Sequence, residues 1–200
     1  MIGQTLKQIW NQGFTLEDFI KQMDSNQSAM RRRLDEVKVH AASQIIHPRP
    51  SHVSVLTEAW CGDSLMNLPI VVSFIRQFSG VDLRVFVRSK FPELRQVYQD
   101  RGIINIPTVT FLDGNFCELG TWVERPKSAK QRIEAWKNAR PEMEIIAGRD
   151  DLSRDEKRAL LKPHADQLLI EMEGWYREEF QLETVRELES ILMNSSRAAA

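Results

Sequence analysis

The spacing of apolar positions divides this chain into three stretches. From residue 1 to about 47 they recur at helical intervals. Leu6, Ile9 and Trp10 share one face, and Leu16, Phe19, Ile20 and Met23 continue the pattern. Thr15 stands where an N-cap would, and Asp18 three residues on gives a weaker form of the capping box. A further helix is expected from about Ser28 to Ile46, with Leu34, Val37 and Ala41 on one side. The two prolines of "HPRP" end it.

The middle stretch alternates between two periods. "HVSVLTEAW" and "VDLRVFVR" are β-rich and short. "SLMNLPIVVSFIRQF" has helical length with Pro69 inside it, and "FPELRQVYQD" is a short helix. "IPTVTFLD" and "FCELGTWV" flank an Asp-Gly-Asn turn and predict a β-hairpin. "RPKSAKQRIEAWKNA" predicts a helix, with Pro126 in its first turn. The order is β-α-β-α-β-β-α, so one parallel βαβ unit and one antiparallel hairpin share a sheet with helices on its faces.

The last stretch returns to charged helix. Ser153 and Glu156 form a capping box, and Pro163 is expected to break or kink the helix they start. Leu169, Met172, Tyr176 and Phe180, then Val185, Leu188 and Leu192, make an apolar stripe suited to packing on the preceding domain. The expected division is a helical extension over 1–49, an α/β domain over 50–140, a second helical extension over 141–194 and a frayed tail over 195–200.

Composition narrows the function classes. Hydrophobic residues make up 42% and charged residues 28%, a globular balance. A net charge of −1 gives no electrostatic reason to expect nucleic acid. The run Arg31-Arg32-Arg33 is expected to be a solvated helix face. There is no apolar signal core at the start and no apolar run near ~18 residues, so neither export nor a membrane partner is expected. Only two cysteines occur, Cys61 and Cys117, which fits a reducing, cytoplasmic setting. His40, His47, His52 and His164 lack metal-ligand spacing with them.

Cys61 lies between a predicted strand and a predicted helix. A thiolate there faces the unsatisfied N–H groups and positive dipole end of the helix, which favour its charged form. Gly62 permits the tight turn, and the Ser64 hydroxyl lies within about one helical turn of the sulfur. The Asp63 carboxylate opposes ionisation, which leaves the net sign open. Glu58 and Asp63 are expected to be exposed acids, and Trp60 a lid beside the sulfur. Cys117 lies near the hairpin turn, too far for a disulfide with Cys61, and is expected to be a small sheet-buried residue.

These residues resemble the thioredoxin family. Trp60-Cys61-Gly62-Asp63-Ser64, Pro69 eight residues after the cysteine, Ile106-Pro107-Thr108 and Gly120 match separated motifs of that family, and the element order agrees. The resemblance covers about residues 50–140. It implies a thioredoxin-like fold, with helical extensions at both ends, in which Ile106-Pro107-Thr108 carries a cis-proline facing the sulfur. It further implies that Trp60, Gly62, Asp63, Ile106, Pro107, Thr108 and Gly120 border the substrate. The "WNQGFT" segment, "LTEAWCGD" with "NLPI" behind it, and "RP" before the last core helix resemble a little-characterised bacterial group of the family. Its members keep the first cysteine and often carry a small residue for the second.

Two positions depart from the two-thiol pattern. Ser64 replaces the resolving cysteine, so WCGDS stands for WCGPC. Val55 replaces a buried acid six residues before Cys61. Together they suit one-cysteine chemistry, or a site that has left redox work. The leading expectation is monothiol exchange, with Cys61 as nucleophile, Ser64 as its support and an external thiol resolving a protein or low-molecular-weight disulfide. The alternative is a non-catalytic thioredoxin-fold binding module. Cys61 to Ser64 also resembles the CGFS motif of monothiol glutaredoxins, which bind an iron–sulfur cluster with glutathione. Their lysine before the motif and their Gly-Gly after the cis-proline strand are missing from "LTEAW" and "NFCELGTW", so no cofactor or metal is expected.

Overall fold

A computed structural model describes residues 1–39 and 49–198. The chain divides into two compact units, one of residues 1–125 with 181–200 and one of residues 126–180.

In the first unit, helices α1 (Ile2–Ile9), α2 (Leu16–Lys21) and α3 (Gln27–Glu36) precede strand β1 (His52–Thr57). Helix α4 (Gly62–Ile75), strand β2 (Asp82–Val87), helix α5 (Pro92–Gln99) and the hairpin β3 (Thr108–Leu112) and β4 (Glu118–Val123) come next. The sheet order is β2-β1-β3-β4. β1 runs parallel to β2 and antiparallel to β3, as a βαβ unit joined to a hairpin requires. Alternation sorts the strands. Leu56, Phe86 and Leu112 join Ile2, Leu6, Trp10, Leu94 and Tyr98 in a core with α1 and α5. Val53, Val55, Val85, Val109 and Phe111 are fully buried on the opposite parity.

The N-terminal helices are bound to this sheet. Trp10 Nε1 donates to Asp82 Oδ2 at 2.7 Å, and Phe14 and Val85 exchange backbone hydrogen bonds at 2.9 and 2.8 Å. That bridge covers the β2 edge, which would otherwise offer open donors and acceptors. Thr15 caps α2 by accepting from Asp18 N, as its sequence position predicts.

Helix α3 stops at Glu36, shorter than expected. Val37 turns extended with ψ 114°, and Val39 N donates to Ser73 Oγ. From His40 on, the expected helix, and His47 just after it, lie outside the described residues. Arg33 is buried at 2% exposure, so the arginine run is not wholly solvated. Its guanidinium donates to the carbonyls of Leu65 at 3.0 Å and Met66 at 3.1 Å. Pro69 has no N–H for the Leu65 carbonyl four residues back, and Arg33 supplies that missing donor.

Helix α9 (Gln181–Ala198) closes the first unit by packing on β4 and α4. The second unit holds α6 (Lys127–Asn138), α7 (Pro141–Gly148) and α8 (Arg154–Trp175), then a π-helical turn over Tyr176–Phe180. Ser153 and Glu156 form the expected capping box of α8. Pro163 does not break α8, which continues through it.

Candidate functional site

Cys61 is the N-cap residue of α4, reached directly from the end of β1. Its N–H donates to the Glu58 carbonyl at 3.2 Å, and its own carbonyl accepts from Leu65 N at 3.0 Å. The thiol donates to the Ile106 carbonyl at 3.5 Å. The Ile106–Pro107 peptide is cis, and the Thr108 hydroxyl donates to the Asn105 carbonyl at 2.7 Å. The Pro107 carbonyl accepts from Glu124 N at 2.7 Å. The sulfur therefore faces the loop before β3, held by backbone bonds on both sides.

Cys61 is only 6% exposed and belongs to the core that includes Leu56, Phe86, Leu94, Tyr98 and Ile106. Burial pushes its pKa above the ordinary thiol range. The Ser64 hydroxyl and N–H act against this by stabilising the thiolate. The Asp63 carboxylate adds to the rise, while the Asp63 N–H opposes it. The sign left open by the helix N-terminus and Asp63 is thus decided upward, by desolvation.

Ser64 is 1% exposed and accepts a short hydrogen bond from the Thr57 hydroxyl. Gly62 opens α4. Trp60 is 61% exposed, with the Arg88 guanidinium 5.8 Å from its ring centroid, so it stands out into solvent rather than closing over the sulfur. Arg88 Nη1 also donates to the carbonyl of Ile104, which is 64% exposed. Beside Trp60 an open depression of about 220 Å³ is lined by Phe19, Met23, Glu58, Val87 and Lys90 among others.

Three expectations about neighbouring residues need correction. Glu58 is buried at 8% exposure, because its carboxylate accepts from Ser89 N at 2.6 Å. The Asp63 side chain is 14% exposed, because Arg125 Nη2 lies 2.5 Å from it. Cys117 is exposed, because β4 begins one residue later and Cys117 belongs to the turn.

Cys61, Gly62, Asp63, Ser64, Trp60, Ile106, Pro107 and Thr108 come together at one end of the sheet. Gly120 does not join them. It pairs with Phe111, three residues from Thr108 and about 10 Å along the strand. A Cβ at Gly120 would lie 2.3 Å from Ile191 Cγ2, so the missing side chain makes room for α9.

Other participants were not visible from sequence. Asn26, at the start of α3, donates to the Ala59 carbonyl at 3.1 Å and ties the N-terminal helices to the cysteine loop. Its φ of 59° suits asparagine, a weak local signal. Arg125, Glu124 and Asn105 surround Asp63 and the cis-proline loop, and only "RP" pointed near them.

Comparison with known proteins agrees with this fold. The thioredoxin family model matches residues 13–137. The chain belongs to the thioredoxin family. No curated protein matches the sequence. Among solved structures, a protein of unknown function from Pseudomonas aeruginosa is 21% identical, with TM-score 0.56, covering 94% of this chain and 94% of that one. An HIV epitope-scaffold is 17% identical, with TM-score 0.57, covering 94% of this chain and 97% of its own. Both likenesses concern the fold. Among the described residues of this thioredoxin-family chain, no helix is long and apolar enough to cross a membrane.

Proposed function

We propose that this thioredoxin-family protein performs thiol–disulfide exchange through one thiol. The Cys61 thiolate attacks one sulfur of a disulfide R–S–S–R′, forming Cys61–S–S–R and releasing R′S⁻. A second thiol from solution then attacks the R sulfur. It forms a new disulfide, returns Cys61 as thiolate and leaves the protein without net gain or loss of electrons. Ser64 cannot resolve the intermediate, so the external thiol is obligatory. In this reading Ser64 supports the thiolate, while Ile106, Pro107 and Thr108 align the ligand backbone. Trp60, Gly62, Asp63 and the adjoining depression border it.

The carrying observation is the thiol at the N-cap of α4, 3.5 Å from the Ile106 carbonyl of the cis-proline loop. The raised thiol pKa makes thiolate scarce at neutral pH, so exchange is slow there and quickens as pH rises. The test is trapping with wild-type protein. Adducts on Cys61 that dithiothreitol releases and Cys61→Ala abolishes are expected, because nothing in the site resolves them. Absence of such adducts at pH 8.5 contradicts the reading.

Burial of the thiol favours a second reading, a non-catalytic module that holds an extended peptide beside Trp60 and Pro107. Under it, Cys61→Ala leaves partner capture intact.

A further inference from the structure

Among the described residues, Asp63 is the carboxylate whose charge acts directly against ionisation of Cys61. It is held by a small charged cluster. Arg125 Nη2 lies 2.5 Å from Asp63 Oδ2 and 2.8 Å from Glu124 Oε1. The second Glu124 oxygen accepts from Asn105 Nδ2 at 2.9 Å, and Glu124 N donates to the Pro107 carbonyl at 2.7 Å. Glu124 does this at φ 69°, an uncommon conformation for a side-chain-bearing residue that clusters at functional sites. The cluster thereby joins the start of α4, the cis-proline loop and the end of β4. The side chains of Arg125, Asp63 and Glu124 are 13%, 14% and 19% exposed, so salt screens them little.

The other charged groups near the thiol are engaged elsewhere. The Glu58 carboxylate is bonded to Ser89, and the Arg88 guanidinium lies over Trp60 and on the Ile104 carbonyl. From α5 the same core receives Tyr98, which is neutral at working pH and bonded to Thr110 at 2.7 Å.

We propose that Arg125 is a positioning residue of the thiol site: it pins the Asp63 carboxylate to the β4 end and offsets its charge, so that the Cys61 thiolate can form. This rests on Cys61 being the working thiol. Without Arg125, the Asp63 carboxylate, deprived of its cation, stands beside a forming anion. Without the Asp63 charge, Arg125 has little left to offset at the sulfur.

The test is the pH profile of Cys61 alkylation by iodoacetamide, in the full chain carrying Cys117→Ser. Arg125→Gln is expected to move the midpoint upward and slow alkylation at pH 7 by about three- to tenfold. Arg125→Lys is expected to recover most of that loss, since it keeps the charge. Asp63→Asn is expected to lower the midpoint, and the double variant Asp63→Asn with Arg125→Gln to behave like Asp63→Asn. A merely structural role predicts the opposite sign, because a loosened loop exposes Cys61 and speeds alkylation at every pH. An unchanged or lowered midpoint in Arg125→Gln overturns the proposal. Should that variant not fold, the comparison of Asp63→Asn with the double variant decides, and a midpoint in the double variant well away from that of Asp63→Asn overturns the proposal. Iodoacetamide reads the thiolate whether or not Cys61 exchanges with disulfides, so this test and the trapping test fail separately.

Discussion

Ser64 lies three residues after Cys61, and its hydroxyl is engaged on two sides. Thr57 donates to it, and it acts in turn to stabilise the Cys61 thiolate. Ser64→Ala is expected to raise the Cys61 midpoint and slow alkylation at pH 7 several-fold. It also strips a buried donor of its main acceptor, at a cost of about 1–3 kcal/mol by urea unfolding. Burial supplies a second prediction. Cys61 and Tyr98 both have raised pKa values in the folded chain, chiefly through desolvation. Each keeps its proton longer folded than unfolded. Stability is therefore complete below their unfolded values, about 8.5 and 10, and is lost as pH rises toward the folded ones. The loss approaches about 1.4 kcal/mol per pH unit for each group. Cys61→Ser is expected to flatten the fall between pH 9 and 10, and Tyr98→Phe the fall above 10, as read from urea midpoints. At this scale sequence located Cys61, Ser64 and Pro107, because each sits in a local motif. It left the sign of the thiol shift open, because desolvation comes from side chains brought in from other elements. Arg125 lies 62 positions from Asp63, beyond any local pattern.

Helix α4 owes its support to an element that sequence reading left outside the α/β domain. Arg33 of α3 donates to the Leu65 carbonyl that Pro69 leaves without a partner. Arg33→Met keeps the apolar stem but withdraws the donors, and is expected to cost about 2–4 kcal/mol. Pro69→Ala restores the backbone N–H, so the same change should cost less in that background, a coupling readable in a double-mutant cycle. Gly120 is a second such contact. Gly120→Ala is expected to destabilise by about 1–3 kcal/mol through the clash with Ile191, and Ile191→Ala to relieve part of it. Strands, hairpin and caps were legible because each is written in a short run of residues. The end of α3 and the continuity of α8 through Pro163 were not, because tertiary contacts override local propensity there. The arginine run misled for the same reason, since the packing of α3 on α4 decides which of the three is buried.

For the whole molecule, order and pairing of elements made the family legible before any coordinates. The parallel β1–β2 pair, the β3–β4 hairpin and the motifs at 60–64, 69 and 106–108 all lie within the 13–137 family match. Less legible was how firmly the N-terminal helices belong to the sheet, through Trp10, Phe14 and Asn26. Those contacts join residues far apart in sequence and have no local signature beyond an amphipathic face. They also bring the N-terminal helices to the loop that carries the thiol, through the bond from Asn26 to the Ala59 carbonyl. The central claim is that this thioredoxin-family site works as a single thiol, protonated at rest, whose exchange is limited by ionisation. The most direct measurement is the rate of thiolate release from a chromogenic aromatic disulfide, in Cys117→Ser protein, from pH 6 to 10. The account predicts one equivalent released per chain, none from Cys61→Ala, and a rate rising about tenfold per pH unit up to at least pH 9. A rate already level by pH 7, or no release at pH 9 from folded protein, would contradict it.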